Sequence, residues 1–368
     1  MEEVGVDLLS ANGGAQGEVA NKFINNGLSI AKMRPFEYKG QSYISVNTGK
    51  DPKTGLDIFK SIPIQANATL RRDEWKALDD VLLEVGRQRL GGIEDLISKG
   101  LTYNLGNAMG TTMLEWHDVS DFGSADVTMD GVNRHKNDTP NFQHNYLPIP
   151  IIHSNYEINA RFLEASRNTG NPLDTLGAER AGRRVKETLE SMLFTDTTYS
   201  FGEKDARGNN TIYSYINHPD RNLLALGTPW DQLTTNIGKT IVDKVHAAKQ
   251  VSLNALHRGP WMLYIPSAYE TVIDKDYDAD TTASITIRER IMKIANIQGI
   301  KVVDYLPANN VLLVQMTSDV VRLVRGLPLQ NVQWSTEGNL LYNYRVMTIQ
   351  VPQIRSDQNR KSGVVHLS

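Results

Sequence analysis

The stretch PLDTLGAERAGRRVKETLESMLF, residues 172–194, decides how the chain is read. Ala178, Ala181, Val185, Leu189, Met192 and Leu193 recur at three- and four-residue steps and mark one apolar stripe of a long amphipathic helix. Glu179, Arg183 and Glu187 follow one another at four-residue steps, with Lys186 and Glu190 beside them, which predicts a solvated, charge-laced opposite face. Pro172 and an N-cap at Asp174 or Thr175 supply the start. A helix alone says nothing of function. Its neighbours do: extended, Pro-punctuated sequence lies before it and a mixed strand and helix region after it.

At 368 residues, with 40% hydrophobic and 22% charged residues, the chain has room for two or three core-bearing regions. Lys+Arg 39 against Asp+Glu 42 gives a net charge of -3, so any nucleic-acid contact is local rather than the work of a basic surface. The absence of Cys excludes disulfides and thiol chemistry and fits a reducing compartment. No apolar run approaches the length of a membrane span, and the acidic opening MEEVGVDLLS lacks the layout of a signal peptide. The expectation is a chain made in the cytoplasm.

Outward from the helix, residues 1–69 read as an arm, broken by Gly13, Gly14, Gly17, Asn25, Asn26 and Gly27. Within it Phe36, Tyr38, Tyr43 and Ile44 suit a hairpin around Lys39 and Gly40, followed by the extended piece LDIFKSIPI. Two readings stand side by side: a poorly ordered tail, or an arm that adds strands to a neighbouring copy. From residue 70 the texture turns helical, with a stripe of Trp75, Leu78, Leu82, Val85 and Leu90, and Gly91 and Gly92 read as its end. Residues 106–146 are polar and turn-rich, a protruding hairpin loop with strands joined at Asp130 and Gly131 and with Arg134 and Lys136 beyond. Pro148 and Pro150 argue for an edge or extended entry. Residues 199–227 read as a looped insertion. A further domain is predicted over 228–330, opening with Thr228 as N-cap, Pro229 and Asp231, and 331–368 hold closing strands and a tail.

Chemistry is hard to find. Gly238, Lys239 and Thr240 invite a phosphate-loop reading, but Leu233 stands where the first glycine is required and no strand feeds the triplet. Asp274, Asp276, Asp278 and Asp280 alternate as in a calcium loop; counted from Asp276, however, Thr281 and Ile287 replace the Gly and the bidentate Glu. The simpler reading is a solvated acidic loop. The sharper one is an acidic ring of Asp276, Asp278 and Asp280 where copies meet around an axis. Histidines 117, 135, 144, 153, 218, 246 and 257 show no His-x-x-x-His spacing and read as polar loop residues, so no metal or cofactor is assigned. Ser10, Ser154 and Ser267 sit in no nucleophile-elbow pattern. Arg71, Arg72, Arg87 and Arg89 are at most a local polyanion contact.

In its ordered series the sequence resembles the major capsid proteins of tailed phages and the shell proteins of encapsulin nanocompartments, the Hong Kong 97-type fold. LRRDEWKALDDVLLEVGRQRLGGIEDL is similar to the family's early amphipathic helix, and LPIPIIHSNYEINARFLEAS with the following helix to its Pro-Leu strand and spine. PWDQLTTNIGKTIVDKV, GPWMLYIPSAYETVI, ASITIRERIMKI, IKVVDYLPANNVLLVQM and VRLVRGLPLQNVQWSTEGNLLYNYRVMTIQV resemble its axial domain and closing strands. Coverage runs from Leu70 to Val351. The resemblance implies an α+β capsid fold with N-terminal arm, extended hairpin loop, long spine helix, peripheral strands and an axial mixed α/β domain. It divides the chain into arm 1–69, first helix of the peripheral domain 70–105, extended loop 106–146, peripheral strand and spine 147–198, insertion 199–227, axial domain 228–330 and closing strands with tail 331–368.

The resemblance also implies an assembling structural protein rather than an enzyme, joined to many copies of itself in pentamers and hexamers through the spine (Ala178, Ala181, Val185, Leu189, Met192), the loop (Asp130, Gly131, Arg134, Lys136) and the arm (Phe36, Tyr38, Tyr43, Ile44). The arm favours a phage shell in a virion, assembled in the host cytoplasm around double-stranded DNA held by weak non-specific contact, with portal, scaffold or decoration proteins as further partners and no membrane. A nanocompartment enclosing a cargo enzyme is the alternative. A hydrolase with residues scattered in sequence is the reading from another class.

Overall fold

The computed structural model describes residues 36–38, 41–50, 57–64, 70, 74–78, 91–106, 108–119, 129, 142–168, 176–202, 210–277, 285–336, 340–357 and 359–368. Strands β1 (Phe36–Tyr38), β2 (Gln41–Lys50) and β3 (Asp57–Ile64) form an antiparallel sheet in that order. A helical turn at 74–78 presents Trp75 and Leu78 to the interior; Leu82, Val85, Leu90 and the four arginines at 71, 72, 87 and 89 lie outside the described residues. Helix α1 (Gly91–Ser98) follows and opens at Gly91 and Gly92; the end of the preceding stripe, residues 79–90, lies outside the described residues. The glycines suit a close approach. A Cβ on Gly92 would lie 2.3 Å from Cε2 of Phe194.

Strand β4 (Thr102–Asn104) leads to a two-stranded hairpin of β5 (Met113–Val119) and β6 (Phe142–Pro148), and β7 (Ile152–Asn159) runs into α2 (Ala160–Asn168). The spine is α3 (Leu176–Phe194), and its N-cap candidates at 174 and 175 fall outside the described residues. Strands β8 (Tyr199–Ser200) and β9 (Thr211–Ile212) pair across the insertion. Next come β10 (Asn222–Leu224), helix α4 (Ile237–Asn254), β11 (Trp261–Pro266), the short helices α5 (Glu270–Ile273) and α6 (Ile287–Met292), then β12 (Ile297–Val303) and β13 (Val311–Gln315). The chain closes with β14 (Val321–Thr336), β15 (Leu341–Ile354) and β16 (Val364–Leu367).

Two larger sheets carry the fold. The peripheral sheet has the order β4-β14-β15-β7, which leaves β7, after Pro148 and Pro150, at an edge. The axial sheet is mixed, in the order β10-β16-β13-β11-β12. Its central strands are buried on both faces, which accounts for their unbroken apolar runs. Trp261, Leu263, Ile265, Val311, Leu313, Val365 and Leu367 join one core with Ile241, Val245 and Ala248 of α4. Met262, Tyr264, Leu312, Val314 and Val364, one residue out of step, join another core with Val185, Leu189, Met192 and Leu193 of the spine.

Three boundaries differ from those expected. The helix predicted from Thr228 starts at Ile237: Trp230, buried and stacked on Tyr269 with ring centroids 5.2 Å apart, holds the intervening segment as a 3-10 turn, and Asn236 takes the left-handed conformation at the helix start. β14 runs through VRLVRGLPLQNVQWS, across the boundary expected at residue 330. Gly326 and Pro328 within it are absorbed by register shifts from Arg325 to Leu327 and from Leu327 to Gln330, so the closing strands of the peripheral sheet begin at Val321. The tail beyond Ile354 does not stay with the peripheral strands but inserts as β16 between β10 and β13.

A polar clasp fixes that last strand. His366 Nε2 meets Asn310 Oδ1 at 2.6 Å while its Nδ1 accepts from Arg221 Nε at 3.3 Å, which sets the neutral tautomer. Asp220 accepts from Ser356 and Arg360, and Asn222 donates to the Ser362 carbonyl at 2.7 Å. Burial lowers the pKa of both His218 and His366 to about 4, and Arg221 acts in the same direction on each.

Candidate functional site: assembly surfaces and a buried junction

The spine helix is covered more widely than one stripe. Ala178, Ala181, Val185, Leu189 and Met192 are buried, and so are Lys186 and Glu190, which the charge pattern had placed on the solvated face. The reason is a second neighbour. One side of α3 packs on β7 and β15, the other on α1 and the axial sheet, so a helix read as half exposed is enclosed over two adjacent rows. Arg184 and Glu187 remain on the outer side as an ion pair of 3.0 Å, a contact worth little in water.

Glu190 reaches across to α1, its Oε1 accepting from Gly92 N at 2.8 Å and its Oε2 from Ile93 N at 3.4 Å. It caps a helix belonging to a distant segment, satisfying N–H groups that would otherwise be orphaned in the interior. One turn on, buried Asp95 accepts from the Tyr264 hydroxyl at 3.0 Å and pairs with Lys301 at 2.6 Å. Phe194 packs edge-on against Tyr264 and Tyr215. Peripheral helix, spine and axial sheet therefore meet at one hydrogen-bonded junction. Burial raises the Glu190 pKa to about 7 against the opposing pull of the two N–H groups, and lowers that of Lys186 to about 8. No spacing in the sequence announces this set, because its members come from five separate segments.

The surfaces expected to meet neighbours are placed as follows. Phe36 is buried against Leu70, Trp75, Ala178 and Tyr344, so the strands of the arm rest on the spine; Ile44 is buried, and Tyr38 is exposed beside Tyr43. Behind them Tyr156 stacks on Tyr344 at 5.0 Å, and Gly177 lies so close to Tyr156 that a Cβ would fall 2.8 Å from the ring. The hairpin stem of β5 and β6 is anchored by Leu114 and Leu147 in a core with Ile349 and Val351. Asp130, Gly131, Arg134 and Lys136 lie outside the described residues. The stem does bring His117 directly opposite His144, a pairing that a search for helical spacing could not find.

At the axial end Asp276 bridges to Thr286 through the backbone, and Asp274 pairs with Arg288 at 2.7 Å. Asp278 and Asp280 fall outside the described residues, among which no three His, Asp or Glu side chains gather as a metal site. Gly238 has a structural explanation: a Cβ there would lie 2.3 Å from the Tyr277 carbonyl oxygen, so the glycine lets the axial loop cross α4. No helix among the described residues is long and apolar enough to cross a membrane.

A family described as of unknown function, DUF6260, matches residues 65–367. The chain belongs to this family. No curated protein matches this DUF6260 chain. Solved structures do, among them a virus-like particle and capsids. The virus-like particle from Pyrococcus furiosus superposes with a TM-score of 0.56 at 17% identity, covering 80% of this chain and 99% of its own. The capsid of Myoviridae phage XM1 gives 0.58 at 10% identity, covering 76% and 92%. The capsid of the native GTA particle gives 0.51 at 14% identity, covering 76% and 90%. The DUF6260 chain has the Hong Kong 97-type capsid fold, α+β in class, as its order of hairpin, spine, axial sheet and closing strands implied.

Proposed function

We propose that this chain is the major subunit of an icosahedral shell that encloses the double-stranded DNA of a tailed phage, built from many copies in pentamers and hexamers. The observation that carries the reading is a fold shared over three quarters of the chain or more with the capsid of phage XM1 and the virus-like particle from Pyrococcus furiosus. The arm strands lie on the spine through Phe36, and the stem of β5 and β6 is anchored by Leu114 and Leu147, so each offers a modest patch to neighbours. With a net charge of -3, a wall around packed DNA need not grip it. Assembly in the host cytoplasm, with portal, scaffold or decoration proteins as further partners, belongs to the same reading. The subunit's work is structural.

A nanocompartment around a cargo enzyme is the second reading, supported by the 99% coverage of the Pyrococcus furiosus chain. Expression of the full chain alone, followed by negative-stain microscopy and light scattering, tests the shell; closed particles are expected. Persistent monomers that also fail to assemble on addition of a scaffold from the same genome would overturn it. Nuclease-protected DNA in particles from the native source supports the phage reading, and an enclosed enzyme the other.

A further inference from the structure

His117 and His144 face each other across the hairpin stem, as partners in the antiparallel register, with ring centroids 4.3 Å apart and both side chains exposed. Side chains alternate between the faces of a strand, so Glu115, two residues before His117, and Phe142, two before His144, share their face. Glu115 is exposed as well.

We propose that His117 and His144 form a two-imidazole chelate for a late first-row divalent cation, with Zn2+ as the representative ion. Imidazole suits such ions, and the chain has no thiolate to compete. With Zn–N bonds of about 2.0–2.1 Å in a tetrahedral site, the two ring centres sit on the order of 5 Å apart. The present separation is short of that by about 1 Å, a difference that rotation of two exposed side chains covers. The remaining positions go to water. Bound in this way the ion ties β5 to β6 and pins the register of the stem, since a slip of one residue would carry either histidine to the opposite face. The site does not depend on the shell reading.

Zn2+ titrated calorimetrically into untagged, chelator-stripped full-length protein tests the proposal. One ion per chain is expected at pH 7.5 and none at pH 5, because a ligating imidazole must be neutral. His117→Ala and His144→Ala should each weaken binding at least tenfold, while His246→Ala, on exposed helix surface, leaves it unchanged. His117→Gln and His144→Gln serve as conservative repeats, and unchanged melting without zinc confirms that each variant folds. Absence of a site at pH 7.5, or affinity unaltered in both the His117 and His144 variants, overturns the proposal.

Discussion

Glu190 on the spine helix accepts the backbone N–H of Gly92, so the last turn of one helix caps the first turn of another that precedes it by 98 residues. Glu190→Ala leaves that helix start buried and uncapped, and an orphaned buried donor costs about 1–3 kcal/mol. Chemical denaturation should show a midpoint lowered accordingly, with Glu190→Gln, which keeps one acceptor oxygen, falling between the two.

The same carboxyl sets a pH dependence. Its folded pKa of about 7 lies above its unfolded value, so its favourable contribution is complete below about pH 4.5 and is lost as pH rises through 7. A shift of this size amounts to about 3 kcal/mol. Lys186 runs the other way: with a folded pKa depressed to about 8, its contribution is complete above about pH 10.5 and is lost as pH falls through 8. Between those windows both buried groups are charged. The melting temperature of wild type minus that of Glu190→Gln should therefore fall between pH 5 and 7.5 and then level; a flat difference would dissociate Glu190 from the effect.

Acid should loosen the clasp on the last strand. His218 and His366 have folded pKa values of about 4, below the unfolded value, so their contribution is present above about pH 6.5 and is lost as pH falls through 4. His366→Gln should melt lower than wild type at pH 7 and lose less on going to pH 4.5, as followed by circular dichroism.

Gly238→Ala places a methyl group against the Tyr277 carbonyl and should cost about 1–3 kcal/mol by overpacking. Lys239→Ala, at an exposed position, should stay within about 0.5 kcal/mol of wild type. An equal loss in the two variants would return the Gly-Lys-Thr triplet to consideration as a working loop.

Phe36→Ala removes a buried ring from the cluster that also holds Trp75, Ala178 and Tyr344, and substitutions of this kind cost about 3–5 kcal/mol where the core cannot collapse. If the arm strands rest on their own spine, the isolated subunit loses that stability. If they serve a neighbouring copy instead, the loss appears in the particle melt alone.

What the sequence showed and what it hid follow from the range of the forces involved. The stripe from Ala178 to Met192 and the runs WMLYI and NNVLLVQM are local signals, and the structure buries them. Lys186 and Glu190 were misplaced because charge predicts exposure only until a second element arrives to supply partners. That a helix opens at Gly91 and Gly92 is not legible locally, because its cap comes from residue 190. The boundary expected at residue 330 falls inside β14, because a long partner in β15 carries the ladder past Gly326 and Pro328. The opposition of His117 and His144 is a matter of register, invisible until the two strands are paired.

The axial sheet pairs Asn222 with Val365 and seats β16 between β10 and β13. On the ribosome, β13 and β10 therefore emerge long before the strand that joins them, and this sheet cannot close until residue 367 has left the exit tunnel. Pairing across so much chain is slow and leaves edges open while it waits. Translation order thus sets folding order in this sheet: its inner strand β16 arrives after both of its partners.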